Sequence, residues 1–303
     1  MDSIAHPLQT AHDVRLASRT GQHTTPTAGL APGYIQANLI VLPSRYAADF
    51  RALCQRNPVP CPLVAESADI GKWDKFKSCI SGVPDTTLIA KDKGVDIRTD
   101  IPRYMVYLDG KAVKTGCPDL LESWTEDHIA FLIGCSFGFE TALIADELTP
   151  AHIIGNSNVP MYRTTRALDP AGVFRKSSYV VSMRAYKARN VPRVRGITER
   201  YAHTHGGAVD WGWGALKRLG IRDINSPEWG DRPLGPDGGE LVVPSLAEDE
   251  KEDEDGDTVV PVFWGCGVTP QEAVTQAKLE GTVMAHLSGH MLVLDCLDGD
   301  LMV

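Results

Sequence analysis

The stretch ESWTEDHIAFLIGCSFGFETALIADE, residues 122–147, decides how the middle of this chain is read. Ser123 or Thr125 can cap a helix, and apolar residues recur from there through Phe131. Gly134 and Gly138 interrupt the run, so the pattern predicts a helix, a sharp break at GCSFG and a second helix from Phe139.

Toward the N-terminus, QANLIVL (36–42) is short, apolar and bounded by Gly33 and Pro43, which reads as a buried strand. Residues 10–20 read as a helix, and Ser44 reads as the cap of another through RYAADFRALCQRN. Residues 96–98 and 104–108 read as strands, with Asp109-Gly110 as a tight turn. Toward the C-terminus, strands are expected at 179–183, 241–243, 259–264 and 291–294. A helix is expected over 191–201, and another where Thr269 caps and Pro270 takes the first position. Helices and strands alternate without a long all-β run, so the class is α/β or α+β.

The 303 residues suit about two domains, and the 43% hydrophobic fraction can fill a sizeable core. The formal charge of −9 argues against a nucleic-acid binder, which normally carries a basic face. That charge is local. EDEKEDEDGD (248–257) alone carries −7, leaving −2 for the rest, and reads as a solvated loop that repels itself. The seven cysteines form no CxxC pair, and no apolar run approaches the roughly 18 residues that span a bilayer. The N-terminal residues lack a hydrophobic signal core, and Asp2 and Asp13 weaken a mitochondrial reading. A cytoplasmic protein without a membrane partner is expected.

Several segments could carry chemistry. GCSFGFE (134–140) joins the thiol of Cys135, the hydroxyl of Ser136 and the carboxylate of Glu140 at a glycine-flanked break, where amides could hold an oxyanion. Cys135 is either a nucleophile or a small buried residue. Arg98, Arg103, Arg163 (beside Tyr162) and Arg184 each end an apolar stretch. Such guanidiniums clamp carboxylates, or form interior ion pairs for which Asp96, Asp100 and Glu140 are the obvious partners. His205, in HTHGG, and His286 and His290, in AHLSGHM, could serve as acid, base or structural groups. No HExxH, GxGxxG or P-loop pattern is present, so neither a metal nor a nucleotide cofactor is expected.

Ten collinear segments together resemble one family: PTAGLAPGYIQANLIVLP, CQRNPVPCPL, DIRTDIPRYMVYLDG, FLIGCSFGFETAL, NVPMYRT, PAGVF, YVVSMR, INSPEWGD, PVFWGCGVTPQEA and SGHM. This is similar to the D-glutamate cyclase family, whose members also carry a hydro-lyase name. The resemblance runs from about residue 15 to 295 and implies a three-layer α/β part joined to a smaller two-layer α/β part. The expected division is residues 1–130 with 225–303, then 131–224, with an acidic insert at 244–258. The implied reaction converts D-glutamate to 5-oxo-D-proline and water. The alternatives are a hydro-lyase acting on another small hydroxy- or amino-acid, and a non-catalytic small-acid binder. A homo-oligomer is compatible with either.

Two departures stand out. The family's HGAPVH-(I/W)-GDP becomes HGGAVDWGWG here, placing Asp210 where a second histidine is usual and Trp213-Gly214 where Asp-Pro is usual. The family's HAPGHMF becomes HLSGHML. Cyclisation requires a held α-carboxylate, a neutral amine, a protonated or neutralised γ-carboxyl and donors for the tetrahedral oxyanion. The expected roles are Arg163, Arg184, Arg98 and Tyr162 for substrate binding, and Glu140 or His290 as base. His205 or His286 would be the acid, with Ser136 and the amides of 135–138 as oxyanion donors.

Overall fold

A strand buried on both faces needs an unbroken apolar run rather than alternation. Residues Tyr34–Pro43 (β1) come close, interrupted only by the buried, hydrogen-bonded Gln36 and Asn38, and all but the first are buried. In the computed structural model, which describes residues 8–90, 92–244 and 256–302, β1 is the centre of an eight-stranded sheet. Its partners include Leu63–Ser67 (β2), Phe76–Ser78 (β3), Tyr104–Leu108 (β4), Lys111–Cys117 (β5) and His128–Gly134 (β6). Met161–Ala167 (β7), Ser178–Lys187 (β8), Asp210–Trp211 (β9) and Val259–Gly265 (β10) form a second, four-stranded sheet in the order β7-β8-β10-β9. Thr282–His286 (β11) and Leu292–Leu297 (β12) complete the first sheet, whose order is β3-β2-β6-β1-β11-β4-β5.

Every named pairing is antiparallel, and helices flank both sheets, giving an α/β architecture. The helices are Ala11–Arg19 (α1), Ala47–Arg56 (α2), Asp85–Leu88 (α3), Glu140–Ala145 (α4), Ala151–Ile154 (α5), Val191–Thr198 (α6), Ala215–Leu219 (α7) and Val268–Ala277 (α8).

The main core lies between the sheets. Ile40 and Leu42 of β1, Phe131 and Ile133 of β6, Val181 and Met183 of β8 and Phe263 of β10 meet Phe50 and Leu53 of α2 there. The Phe50 and Phe131 rings are 4.7 Å apart, and truncating either to alanine should cost about 3–5 kcal/mol. The other face of the large sheet buries Leu39, Val41, Leu132 and Met284. The outer face of the small sheet packs Tyr186 and Trp264 against Phe139, Leu143 and Val194.

One irregularity shapes the site. Both β11 and β12 pair with β1, with Ala285 opposite Ile40 and Leu292 opposite Ala37. Seven steps along one side therefore match three along the other, and the excess is pushed out of the sheet as a loop over 287–291. Gly289, at φ +81°, allows that loop to turn.

Several expectations are corrected. Residues 128–134 form β6, not a helix: Ile129, Phe131 and Ile133 enter one core while Ala130 and Leu132 enter the other. A strand with both faces buried has no polar alternation, and its short apolar run mimics a helix face. The second helix does follow, as a 3-10 turn over Ser136–Phe139 running into α4. Residues 96–98 are a turn, folded around the Asp96 carboxylate, which accepts from the Arg98 amide and guanidinium. Residues 241–243 join no strand. Ser44 does not cap α2; it opens a 3-10 turn and its hydroxyl bonds Asp127. Thr269 does not cap α8 either, because its hydroxyl bridges the amide and carbonyl of Val180 on β8. The helix over 10–20 forms as α1, with a Thr10–Asp13 capping box. Of the acidic insert, residues 245–255 lie outside the described residues.

Candidate active site

Five segments from different parts of the chain wall one cleft. They contribute Asn38 from β1, Cys135, Ser136 and Phe137 after β6, Asn158 to Met161 at the start of β7, Cys266 to Val268 after β10, and Ser288 to Met291 from the extruded loop. Glycine makes the approach close. A Cβ on Gly267 would lie 1.9 Å from Asn38 Nδ2, and one on Gly134 would lie 1.9 Å from the His203 carbonyl oxygen. The free interior is about 20 Å³, room for roughly one water. Two polar atoms in this wall, Asn158 Oδ1 and Ser288 Oγ, are buried without a hydrogen-bond partner. Such atoms are costly to leave unmatched and mark where a ligand's donors would gain most.

Behind the wall lies a buried polar network. Arg184, on β8, is enclosed between the rings of Phe139 and Trp264, 5.2 and 5.3 Å from its guanidinium carbon. Its guanidinium donates to Glu140 Oε1 at 3.0 and 2.5 Å, to Ser136 Oγ at 3.0 Å and to Ser182 Oγ at 3.2 Å. His152 Nε2 makes a 3.1 Å ionic contact with the same Glu140 oxygen, off the hydrogen-bond direction. Burial pushes the Glu140 carboxyl up, but His152 and Arg184 together outweigh that and hold it below its ordinary value. Ser136 lines the cleft, and the one bond its hydroxyl makes among the described residues is accepted from Arg184, so its own hydrogen is free for a ligand.

Of the amides at 135–138, Cys135 donates to Gln36 O, Gly138 donates to Cys135 O, and Phe137 points at the Cys135 thiol. The Ser136 amide is the one of the four with no bond of this kind among the described residues. Burial pushes the Cys135 thiol up to about 12 and Cys266 to about 11, which suits a proton-bearing wall rather than a free thiolate.

The three histidines hold backbone around the cleft without lining it. His205 sits at φ +84° and is buried, with Nδ1–H donated to Val59 O at 2.8 Å. A side chain in that conformation stores on the order of 1–3 kcal/mol, which the surrounding contacts must offset. Burial, with a smaller push from Arg184, lowers its pKa to about 4. His286 is fully buried where β1 passes from β11 to β12. Its Nδ1 lies 3.1 Å from the Leu39 amide, 3.2 Å from the Leu39 carbonyl oxygen and 2.9 Å from Gln271 Nε2, so either neutral tautomer finds a partner on β1. Burial lowers its pKa to about 4 as well. His290 donates Nδ1–H to Ser288 O at 2.9 Å and so ties the extruded loop to itself.

The remaining substrate-binding candidates stand elsewhere. Arg163 is half exposed, donates to Glu272 Oε1 at 3.0 Å and lines a separate cavity of about 290 Å³ together with Tyr162. Tyr162 donates its hydroxyl to Ile224 O at 2.6 Å. Arg98 is bound bidentate to Asp96 and stacked 3.7 Å from the Trp73 ring centroid. Asp210, the departure from the family pattern, also lies away from the cleft and takes the Arg218 guanidinium at 2.7–3.3 Å. Residue-type reasoning passed over Asn38, His152, Asn158 and Ser288, although Asn38, Asn158 and Ser288 stand within segments that carry the family resemblance.

The chain belongs to the D-glutamate cyclase family. That family's sequence pattern matches residues 129–295, which span β6, both sulfur-bearing strand ends and the extruded loop. A protein of Rubrobacter xylanophilus named "putative hydro-lyase" is 43% identical over 290 residues, covering 96% of this chain and 97% of that one. Relatives of the same name from Schizosaccharomyces pombe and Bordetella pertussis are 40% and 42% identical, covering 93% and 96% of this chain and 83% and 91% of their own. Among the described residues, no helix is long and apolar enough to cross a membrane.

Proposed function

We propose that the protein is a carbon–oxygen lyase that cyclises D-glutamate to 5-oxo-D-proline and water in the cytoplasm, without a cofactor. Family membership and the relatives' hydro-lyase name support the class. The observation that carries the reaction is the Arg184–Ser136 bond, which leaves the hydrogen of a cleft-lining, polarised hydroxyl free to donate.

The substrate's γ-carboxyl lies against Ser136, whose O–H and backbone amide donate to the developing oxyanion. Arg184 acts through Ser136 rather than on substrate, with the Glu140 carboxylate balancing its charge. Asn158 Oδ1 and Ser288 Oγ accept from the substrate's amino group and direct its lone pair at the γ-carbon. Over the reaction the ammonium gives up two protons, the new C–N bond forms at the γ-carbon, and one γ-oxygen takes up two protons and departs as water, so atoms and charge balance with no external proton donor. His205, His286 and His290 position the wall. A cleft this tight excludes bulk water, so the loop over 287–291 must move to admit substrate.

Purified protein is incubated with D-glutamate and the product is resolved by chiral detection of 5-oxoproline. Folded protein that gives no product at saturating substrate rejects the reading. A dehydration screen over small hydroxy- and amino-acids then separates another hydro-lyase from a binder, which would show a thermal shift without turnover.

A further inference from the structure

Four segments around the cleft each contribute one sulfur-bearing residue to its wall: Cys135 after β6, Met161 at the start of β7, Cys266 after β10 and Met291 before β12. All four side chains are buried and belong to one packed cluster with Phe137, Val159, Val180 and Val268. The four are spread over more than 150 residues, so only the fold assembles them.

We propose that this cleft is a binding site for a soft monovalent d10 cation, Cu(I), held by the thiolates of Cys135 and Cys266 and the thioethers of Met161 and Met291. Soft sulfur donors select Cu(I), whereas carboxylates and carbonyls select harder ions. The interior of about 20 Å³ fits one small occupant and no chelated complex. Among the described residues, no group of three His, Cys, Asp or Glu side chains offers a competing site for a harder metal. Binding breaks two S–H bonds, forms four Cu–S bonds (two to thiolates, two to thioethers) and releases two protons to solvent, with no change in oxidation state. The site is left with one net negative charge. The Phe137 and Val268 amides, each directed at one of the two sulfurs, and the nearby Arg184 guanidinium favour that charge, while burial opposes it. The inference is independent of which substrate the cleft takes, and an ion seated there would block it.

The full chain is titrated under anaerobic conditions with Cu(I) held by a chromogenic Cu(I) chelator. One equivalent per chain should be withdrawn from the chelator. Cys135→Ser combined with Cys266→Ser should weaken uptake by about 100-fold, and Met161→Leu or Met291→Leu, which keep the side-chain volume, by about 10-fold. Cys79→Ser, at an exposed thiol in another groove, should leave uptake unchanged. No withdrawal by folded protein, full uptake by the double variant, or loss of uptake in Cys79→Ser each overturns the site. If the double variant does not fold, X-ray absorption of the Cu(I)-loaded wild-type chain decides: a sulfur-only shell supports the site and a nitrogen or oxygen shell rejects it.

Discussion

Arg184 Nη2 donates to Ser136 Oγ across 3.0 Å, linking the middle of the small sheet to the wall of the cleft. A hydroxyl has one hydrogen, so accepting from the guanidinium turns Ser136 into a donor toward whatever occupies the cleft. The bond forms because β8 carries Arg184 under the GCSFG turn, where Phe139 and Trp264 exclude water. Packing on the outer face of the small sheet thus sets the polarity of an atom facing the other way.

Ser136→Ala should lower kcat for D-glutamate cyclisation by about 10²–10³-fold, the usual loss for one oxyanion donor. Ser136→Thr keeps the hydroxyl and should recover part of that loss. Steady-state kinetics on variants with unchanged melting curves provide the check. Equal kcat in wild type and Ser136→Ala would remove Ser136 from the chemistry.

The Arg184–Glu140 pair is fully buried, and removing one partner strands the other. Arg184→Met should therefore cost about 3–5 kcal/mol in urea unfolding, while Arg184→Met with Glu140→Gln should cost less than the two single changes summed. The Glu140 carboxyl titrates below its ordinary value in the folded protein. Its contribution is thus present above the ordinary glutamate value and is lost as pH falls through the folded one. Glu140→Gln should flatten that acid limb of the stability curve.

The strands at 104–108, 179–183 and 259–264 are legible in the sequence because short β-branched and aromatic runs there end at turns or charges. β6 is not: burying Phe131 in one core and Leu132 in the other erases the alternation that would separate strand from helix. In the site, Cys135 and Ser136 are legible because Gly134 and Gly138 punctuate them. Asn158, Ser288, Met161 and Met291 are ordinary residues until β7 and the extruded loop reach the same cleft. Arg98 and Arg184 show the converse, since the interior ion pairs expected for such arginines form with Asp96 and Glu140, two of the three carboxylates the sequence offered as partners.

His205 and His286 are held neutral by burial, with pKa near 4 in the folded state against 6.5 in the unfolded. Above about 6.5 neither state is protonated and their stability contribution is complete. Between there and about 4 the unfolded chain takes up protons first, so stability falls as pH drops, by up to about 3 kcal/mol for each histidine. Urea unfolding at pH 7.5 and pH 5 should show the loss, and His286→Gln should reduce it. Identical slopes in wild type and variant would mean that His286 is not buried neutral.

Gly134→Ala and Gly267→Ala place a methyl at the same 1.9 Å from an obstacle, but the obstacles differ. At Gly267 the methyl meets the Asn38 amide group, which can swing aside at the loss of its bonds to Ile133 O and Gly134 O. At Gly134 it meets the backbone carbonyl of His203, on a turn that the strained His205 helps to fix. Overpacking should cost roughly 1–3 kcal/mol at Gly267 and more at Gly134. Melting curves that rank them the other way would show the 203–205 turn to be the softer element.

Asp210→His restores the residue usual in the family, and its outcome separates a change in the cleft from a change on the surface. Asp210 binds Arg218, whose side chain is 57% exposed, at the short edge strand β9. Neither residue touches the cleft wall. An exposed ion pair contributes about 0–1 kcal/mol, so the variant's stability should move by no more than that. Because the Asp210 side chain is bound to Arg218 and, among the described residues, makes no direct hydrogen bond to Ser136 or Arg184, turnover of D-glutamate should stay within about twofold of wild type. A rise of tenfold or more in kcat/KM for Asp210→His would mean that this edge closes over the substrate during turnover, and that the departure tuned the reaction after all.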